Sequence, residues 1–179
     1  WRAGAVNFVY AFDRFNACNM LSMLEHYKVT SICAPPTIYR FMIHEDVKAY
    51  DLSCLHACST AGEPLNPEVF NRWKELTGLE MRECFGQTEL VATLCTFPWM
   101  KICPGSMGKP APIFDVDLVD ENDESCAPGH VGEIVLRTGE TNPPGMFMGY
   151  YKDEEMTRSV WHDGIYHTGD LAWRDEWGY

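Results

Sequence analysis

Glu83-Cys84-Phe85-Gly86-Gln87-Thr88-Glu89, ECFGQTE in one-letter form, closes the run of strand and helix signals in the first half of the chain. An aromatic ring, a residue without a side chain, a hydroxyl and a carboxylate stand within five consecutive positions. That mixture suits a bound nucleotide better than a core. In an extended backbone Phe85, Gln87 and Glu89 face one way and Cys84, Gly86 and Thr88 the other, so gathering the polar groups calls for a turn at Gly86. The neighbouring sequence decides how the stretch is to be read.

Upstream, strand and helix signals alternate. Ala5 to Tyr10 (AVNFVY) reads as a strand, and Asn16 as the cap of a helix carrying Met20, Leu21, Met23, Leu24 and Tyr27. Val29 to Ala34 is a second strand, stopped by Pro35-Pro36, with Thr37 as the cap of a helix through Ile38, Phe41, Met42 and Ile43. Cys54 to Thr60 is a third strand, and Ala61-Gly62-Glu63-Pro64 a turn. Asn66-Pro67-Glu68 opens a helix through Val69, Phe70, Trp73 and Leu76 that Gly78 ends. A fourth strand through Glu80-Met81-Arg82 runs into ECFGQTE. This spacing predicts a parallel sheet covered by helices, with ligands beyond the carboxyl ends of the strands, where Gly62-Glu63-Pro64 and Gly86-Gln87-Thr88-Glu89 both fall.

Downstream, prolines and glycines between Pro98 and Pro112 mark a change of composition, and helix signals fade. Phe114 to Asp120 alternates with period two, Glu121 to Gly129 is a polar turn, and Gly132 to Arg137 is another strand. A loop with Pro143-Pro144-Gly145, a short helix from Asp153 to Val160 and a strand toward Leu171-Ala172-Trp173 follow. The fold class read from this order is α/β: a parallel sheet with flanking helices over residues 1–97, then a small β-rich, distorted-barrel subdomain over residues 98–179.

The chain has 179 residues, 46% of them apolar and 13% aromatic, enough for a solid core. Fourteen Lys and Arg against 26 Asp and Glu give a net charge of -12, which argues against a nucleic-acid partner, since such surfaces need a basic stripe. No apolar run approaches the roughly 20 residues of a membrane span, and no leader pattern is present. The chain reads as soluble and intracellular, and as a fragment, because it opens on Trp1 and closes at Tyr179 just after a turn-like Trp177-Gly178. Its eight cysteines contain no Cys-x-x-Cys pair and read as reduced, buried thiols.

Several motifs dissolve on inspection. Gly105-Ser106-Met107-Gly108-Lys109-Pro110 lacks the glycines and the Ser/Thr of a phosphate loop and reads as a turn at a domain edge. Cys54, His56 and Cys58 share a strand face but have no visible partners for a zinc site, so core packing is the better account. Gly-x-Ser-x-Gly is absent. His167 reads as a structural histidine. Asp170, in Tyr166-His167-Thr168-Gly169-Asp170, reads equally as a turn cap or as a carboxylate holding two neighbouring ribose hydroxyls.

Taken in order, Ala34-Pro35-Pro36-Thr37-Ile38-Tyr39-Arg40, Ala61-Gly62-Glu63-Pro64-Leu65, ECFGQTE, Gly105 to Pro110, Gly132-Glu133-Ile134 and Tyr166-His167-Thr168-Gly169-Asp170-Leu171 resemble the AMP-forming adenylating enzymes, and among them the medium-chain acyl-CoA synthetases. The resemblance implies coupling of a carboxylic acid to ATP, release of pyrophosphate and transfer of the acyl group to coenzyme A. It implies that Gly62, Glu63 and Pro64 line the adenine pocket, that Glu83, Cys84, Phe85 and Gly86 wrap its other side, and that Gln87 belongs to the same nucleotide-binding wall. Thr88 would bond the α-phosphate, Glu89 would hold Mg2+, and Asp170 would take the ribose. Phe85 stands where the family usually has Tyr or Trp. Gly86 stands where acetyl-CoA synthetases have tryptophan, which implies a longer acyl pocket and a medium-chain or small branched or aromatic acid. The family's phosphate loop, a ribose-binding arginine and a catalytic lysine have no counterpart in the chain, so the fragment alone is expected to be inactive. An amino-acid or aryl-acid adenylating enzyme and a non-catalytic nucleotide-binding relative are the alternatives. The implied compartment is the cytoplasm or the mitochondrial matrix.

Overall fold

A computed structural model describes residues 4–139 and 142–179. The chain divides into two compact units, Trp1–Met81 and Arg82–Tyr179, so the composition break at Pro98 lies inside the second.

The first unit alternates helix and strand: α1 (Ala17–His26), β1 (Ser31–Cys33), α2 (Pro36–Met42), a 3-10 turn (Val47–Ala49), β2 (Ala57–Ala61) and α3 (Pro67–Thr77). β1 and β2 pair in parallel, Ser31 opposite Ala57, as the strand-helix-strand order requires. Local chemistry starts and stops the helices. Asn16 Oδ1 accepts the Asn19 N–H at the head of α1. Asn66 does the same for Glu68 at the head of α3, Pro67 follows it, and Gly78 closes the helix in the left-handed conformation. The core is built on Tyr39 and Trp73, both fully buried, with ring centroids 5.1 Å apart at 79°. Tyr39 also donates its hydroxyl to the Ser59 carbonyl of β2, which satisfies the phenol that burial would otherwise leave unpaired.

Two local expectations fail here. Ala5 to Tyr10 forms no strand among the described residues, and Val6 and Val9 are exposed, because β-propensity without a ladder partner leaves backbone groups to solvent. Thr37 does not cap α2. Pro35 occupies the cap position, and the Thr37 hydroxyl instead donates to Glu63 Oε2 at 2.7 Å.

The second unit is nearly all β. β3 (Met81–Gln87), β4 (Leu90–Cys95) and β5 (Lys109–Pro110) run antiparallel. β4 has no counterpart in the sequence reading. A separate antiparallel sheet of β6 (Asp115–Val119), β7 (Gly132–Arg137), β8 (Trp161–His162) and β9 (Ile165–Ala172) has the order β6-β7-β9-β8. It is open, with β6 and β8 as its edges, and not the distorted barrel expected: no pairing among the described residues joins those two strands. α4 (Glu154–Val160) is capped by Asp153, whose carboxylate accepts the Met156 N–H. Leu90, Ala111, Phe114, Leu136, Met146 and Tyr166 form the core, with Phe147 and Trp161 packed against it. Lys109, the lysine of the discarded phosphate-loop pattern, donates to the Trp177 carbonyl and lies 4.4 Å over the Tyr179 ring.

Candidate adenylate site

The site in the second unit is made by two interrupted ladders. In the first, Phe85 pairs with Leu94 and Gln87 with Leu90, so Gly86 alone faces Val91, Ala92 and Thr93. β4 bulges against Gly86, and a Cβ there would lie 2.7 Å from the Val91 carbonyl oxygen and 3.2 Å from Ala92 Cα. This corrects the sequence reading of a turn at Gly86. The chain does not turn at Gly86 but continues extended to Gln87 and turns at Thr88-Glu89. The missing side chain at Gly86 permits this close approach of β4.

In the second ladder Val135 pairs with His167 and Glu133 with Leu171, leaving Ile134 opposite Thr168, Gly169 and Asp170. The Thr-Gly-Asp segment is therefore a bulge within β9 and not a turn after a strand. Gly169 sits at φ 76°, which a side chain would resist. Each part of the bulge is tied down. Thr168 Oγ1 donates to the Ile134 carbonyl at 2.7 Å and accepts the Asp170 N–H at 3.1 Å. The Gly169 N–H donates to Glu133 Oε1 at 2.8 Å, and the other oxygen of that carboxylate lies 3.0 Å from His167 Nδ1.

Gln87 joins the two ladders. Its amide nitrogen donates to the Thr168 carbonyl at 2.8 Å and to Asp170 Oδ2 at 2.7 Å, while its amide oxygen accepts from the Tyr166 hydroxyl at 3.0 Å. Asp170 is thus aimed by a residue 83 positions away. Two residues after Gln87, Glu89 Oε1 accepts the Tyr150 hydroxyl at 2.8 Å. Phe147 sets both phenols, its centroid 5.1 Å from Tyr150 and 5.6 Å from Tyr166, edge-on to each. The hydrogen bond to Glu89, followed by burial, raises the pKa of Tyr150, so this phenol stays protonated and donating. Burial first, then the charges of Glu89 and Asp170, raises that of Tyr166 in the same sense.

Gln87, Thr88, Glu89, Tyr150, Thr168 and Gly169 are among the walls of one cleft of about 540 Å³. That volume lies within the usual range for small-molecule sites. Thr88 is exposed at the tip of the β3–β4 turn. Of the two carboxylates that line the cleft, Glu133 is engaged by the Gly169 N–H and His167, whereas Glu89 meets Tyr150 through Oε1 and could offer Oε2 to a cation. This fits Mg2+, which takes one or two carboxylates and completes its octahedron with phosphate oxygens and water.

The other candidate residues are distributed differently. Glu83 is buried, and Cys84 and Phe85 are half-buried along β3. Gly62, Glu63 and Pro64 are exposed in the first unit, directly after β2, with Glu63 held by Thr37. Sequence reasoning missed Tyr150 and assigned no role to Glu133, although it stands in a quoted motif, or to the Tyr166 hydroxyl. The available signal was an aromatic with a polar tip beside a conspicuous turn.

The model of the AMP-binding enzyme family matches residues 2–151. The chain belongs to that family. All 179 residues align at 41% identity with mitochondrial acyl-coenzyme A synthetase ACSM3 of Mus musculus, covering 31% of that protein's length. Human mitochondrial ACSM4 aligns over the same 179 residues at 40% identity, with 31% of its length covered. Among solved structures, the anthranilate CoA ligase AuaEII in complex with anthranoyl-AMP matches with a TM-score of 0.83 and 30% identity, over 91% of this chain and 31% of that one. An acyl-CoA synthetase of Brucella canis matches with a TM-score of 0.82 and 30% identity, over 92% of this chain and 30% of that one. This AMP-binding chain therefore spans less than a third of the length of the relatives it matches, and none of its described helices is long and apolar enough to cross a membrane.

Proposed function

We propose that this chain is the nucleotide-holding part of an AMP-forming acyl-CoA synthetase that activates a medium-chain or small branched or aromatic carboxylic acid. The observation that carries the reading is the Gln87 bridge, which ties Asp170 to the residue that precedes the Thr88-Glu89 turn, beside a cleft lined by Gln87, Thr88, Glu89 and Thr168. In this reading Asp170 takes the ribose hydroxyls, Thr88 the α-phosphate and Glu89 the Mg2+, with Tyr150 orienting the Glu89 carboxylate. Gly62, Glu63 and Pro64, and Glu83 to Gly86, are the residues assigned to adenine. An acid oxygen attacks the α-phosphorus, the bond to pyrophosphate breaks, and the coenzyme A thiol then displaces AMP from the acyl carbon. Negative charge grows on the phosphoryl oxygens during the first step, where the Thr88 hydroxyl would donate. Bound Mg2+ would supply further charge neutralisation at those oxygens.

The names of the acyl-coenzyme A synthetase relatives support the reaction class, and the anthranoyl-AMP complex supports the reach to aromatic acids. The mitochondrial designation of the relatives supports a mitochondrial matrix location. Acid-dependent exchange of pyrophosphate into ATP, measured on the complete protein over a series of acids, tests the proposal. Exchange is expected with medium-chain acids and should be lost in Glu89→Gln. Exchange with no acid overturns the reading.

A further inference from the structure

Cys84 of β3 and Cys95 of β4 are direct register partners. One position further, the Thr96 N–H donates to the Glu83 carbonyl at 2.9 Å. That bond makes 83/96 a hydrogen-bonded pair, and since the two kinds of pair alternate in an antiparallel ladder, 84/95 is a non-hydrogen-bonded one. In such pairs the Cα atoms lie about 4.5 Å apart with the side chains drawn together, inside the range of about 4.4–6.8 Å that a disulfide spans. Both residues are reduced, Cys84 half-buried and Cys95 buried. In the β1–β2 ladder Cys33 and Cys58 stand opposite Ser59 and Ile32.

We propose that Cys84 and Cys95 are a modification site, a cross-strand dithiol that a hydroperoxide converts reversibly to a disulfide. The Cys84 thiolate attacks one peroxide oxygen, the O–O bond breaks, and with a proton taken up the products are Cys84 sulfenic acid and water. Cys95 Sγ then attacks Cys84 Sγ, the S–O bond breaks, and the departing hydroxide leaves as water with the Cys95 proton. In sum two thiols lose two electrons and two protons, and one hydrogen peroxide becomes two waters. The order of events follows from access and acidity. Cys84 is the more exposed, and the hydrogen bond from Cys95 lowers its pKa to about 7, while the same interaction raises that of Cys95. The link would tie β3 to β4 two residues before the Gly86 bulge.

Peroxide treatment of the complete folded protein, alkylation, and peptide mapping without reductant should recover the Cys84 and Cys95 peptides joined, lighter by two hydrogens, and separated again by dithiothreitol. In Cys95→Ser, dimedone should label Cys84. In Cys84→Ser, Cys95 should remain alkylatable. Recovery of both cysteines alkylated in the wild type while exposed Cys33 is oxidised would overturn the proposal. So would linkage of either to a different cysteine. The wild-type map requires no variant to fold and does not depend on the synthetase reading.

Discussion

Gly62-Glu63-Pro64 in the first unit and Thr168-Gly169-Asp170 in the second are both proposed to touch the nucleotide, yet they are held in opposite ways. The first is an exposed loop after a strand, where an exposed side-chain hydrogen bond runs from Thr37 to Glu63. The second is a bulge inside a sheet, anchored through Ile134, Glu133 and Gln87 to two neighbouring strands. A carboxylate that must accept two vicinal hydroxyls gains from being ordered before the ligand arrives, since less conformational freedom is lost on binding. A loop that packs beside a flat ring can order when the ring arrives.

The strongest way to break the sheet-built half is at its tightest point. Gly86→Ala sets a methyl group against the Val91 carbonyl, and backbone cannot swing aside as a side-chain tip can. The expected loss is about 1–3 kcal/mol in chemical denaturation. Unchanged stability would mean that β4 gives way at no cost. Gln87→Ala tests the bridge itself. It should weaken binding of an acyl-adenylate analogue roughly tenfold, about 1.4 kcal/mol, the order of one hydrogen bond to a charged group. Calorimetry showing full affinity would mean that Asp170 is positioned without Gln87.

The sheet that carries the bulge should also be the acid-sensitive part. Burial of Asp117 on β6 works against its charge, but hydrogen bonds from Ser125 and Arg137 and the charge of Arg174 outweigh it and hold the pKa below the ordinary value. A folded-state pKa that is depressed gives stability present above the unfolded value of about 3.9 and lost as pH falls through the folded one. Asp117→Asn should therefore cost about 1 kcal/mol at neutral pH and flatten the fall in stability below about pH 4. The smallest effect belongs to the loop. Thr37→Val removes an exposed bond and should change stability by less than about 0.5 kcal/mol, read by thermal melting. A larger loss would show that the loop is structurally anchored after all.

Local rules account for the elements that were legible in advance. α3 carries its start in Asn66 and Pro67 and its stop in Gly78, all within one stretch of sequence, and α4 has Asp153. β7 shows its apolar run between a glycine and an arginine. β4 was illegible because its bulge breaks the period of two, leaving Val91 and Ala92 both exposed. The reverse error at Ala5 to Tyr10 has the same origin: strand propensity is local, whereas the partner that completes a ladder is not. The cysteines were misjudged as well. Only Cys58 and Cys95 are buried and Cys33 is exposed, because strand register and not composition sets which face a thiol occupies.

Sequence by itself determined the chemistry available: a hydroxyl and a carboxylate at Thr88-Glu89, a second carboxylate at Asp170, and the α/β-then-β order of elements. These follow from residue type and short-range spacing. Only the tertiary structure decided that Gln87 holds Asp170, that Tyr150 and Tyr166 hold Glu89 and Gln87, and that Gly86 meets the β4 backbone. Those contacts join residues tens of positions apart, and their geometry depends on two bulges whose offsets are set by ladder pairing, a property of two strands together that neither strand encodes alone.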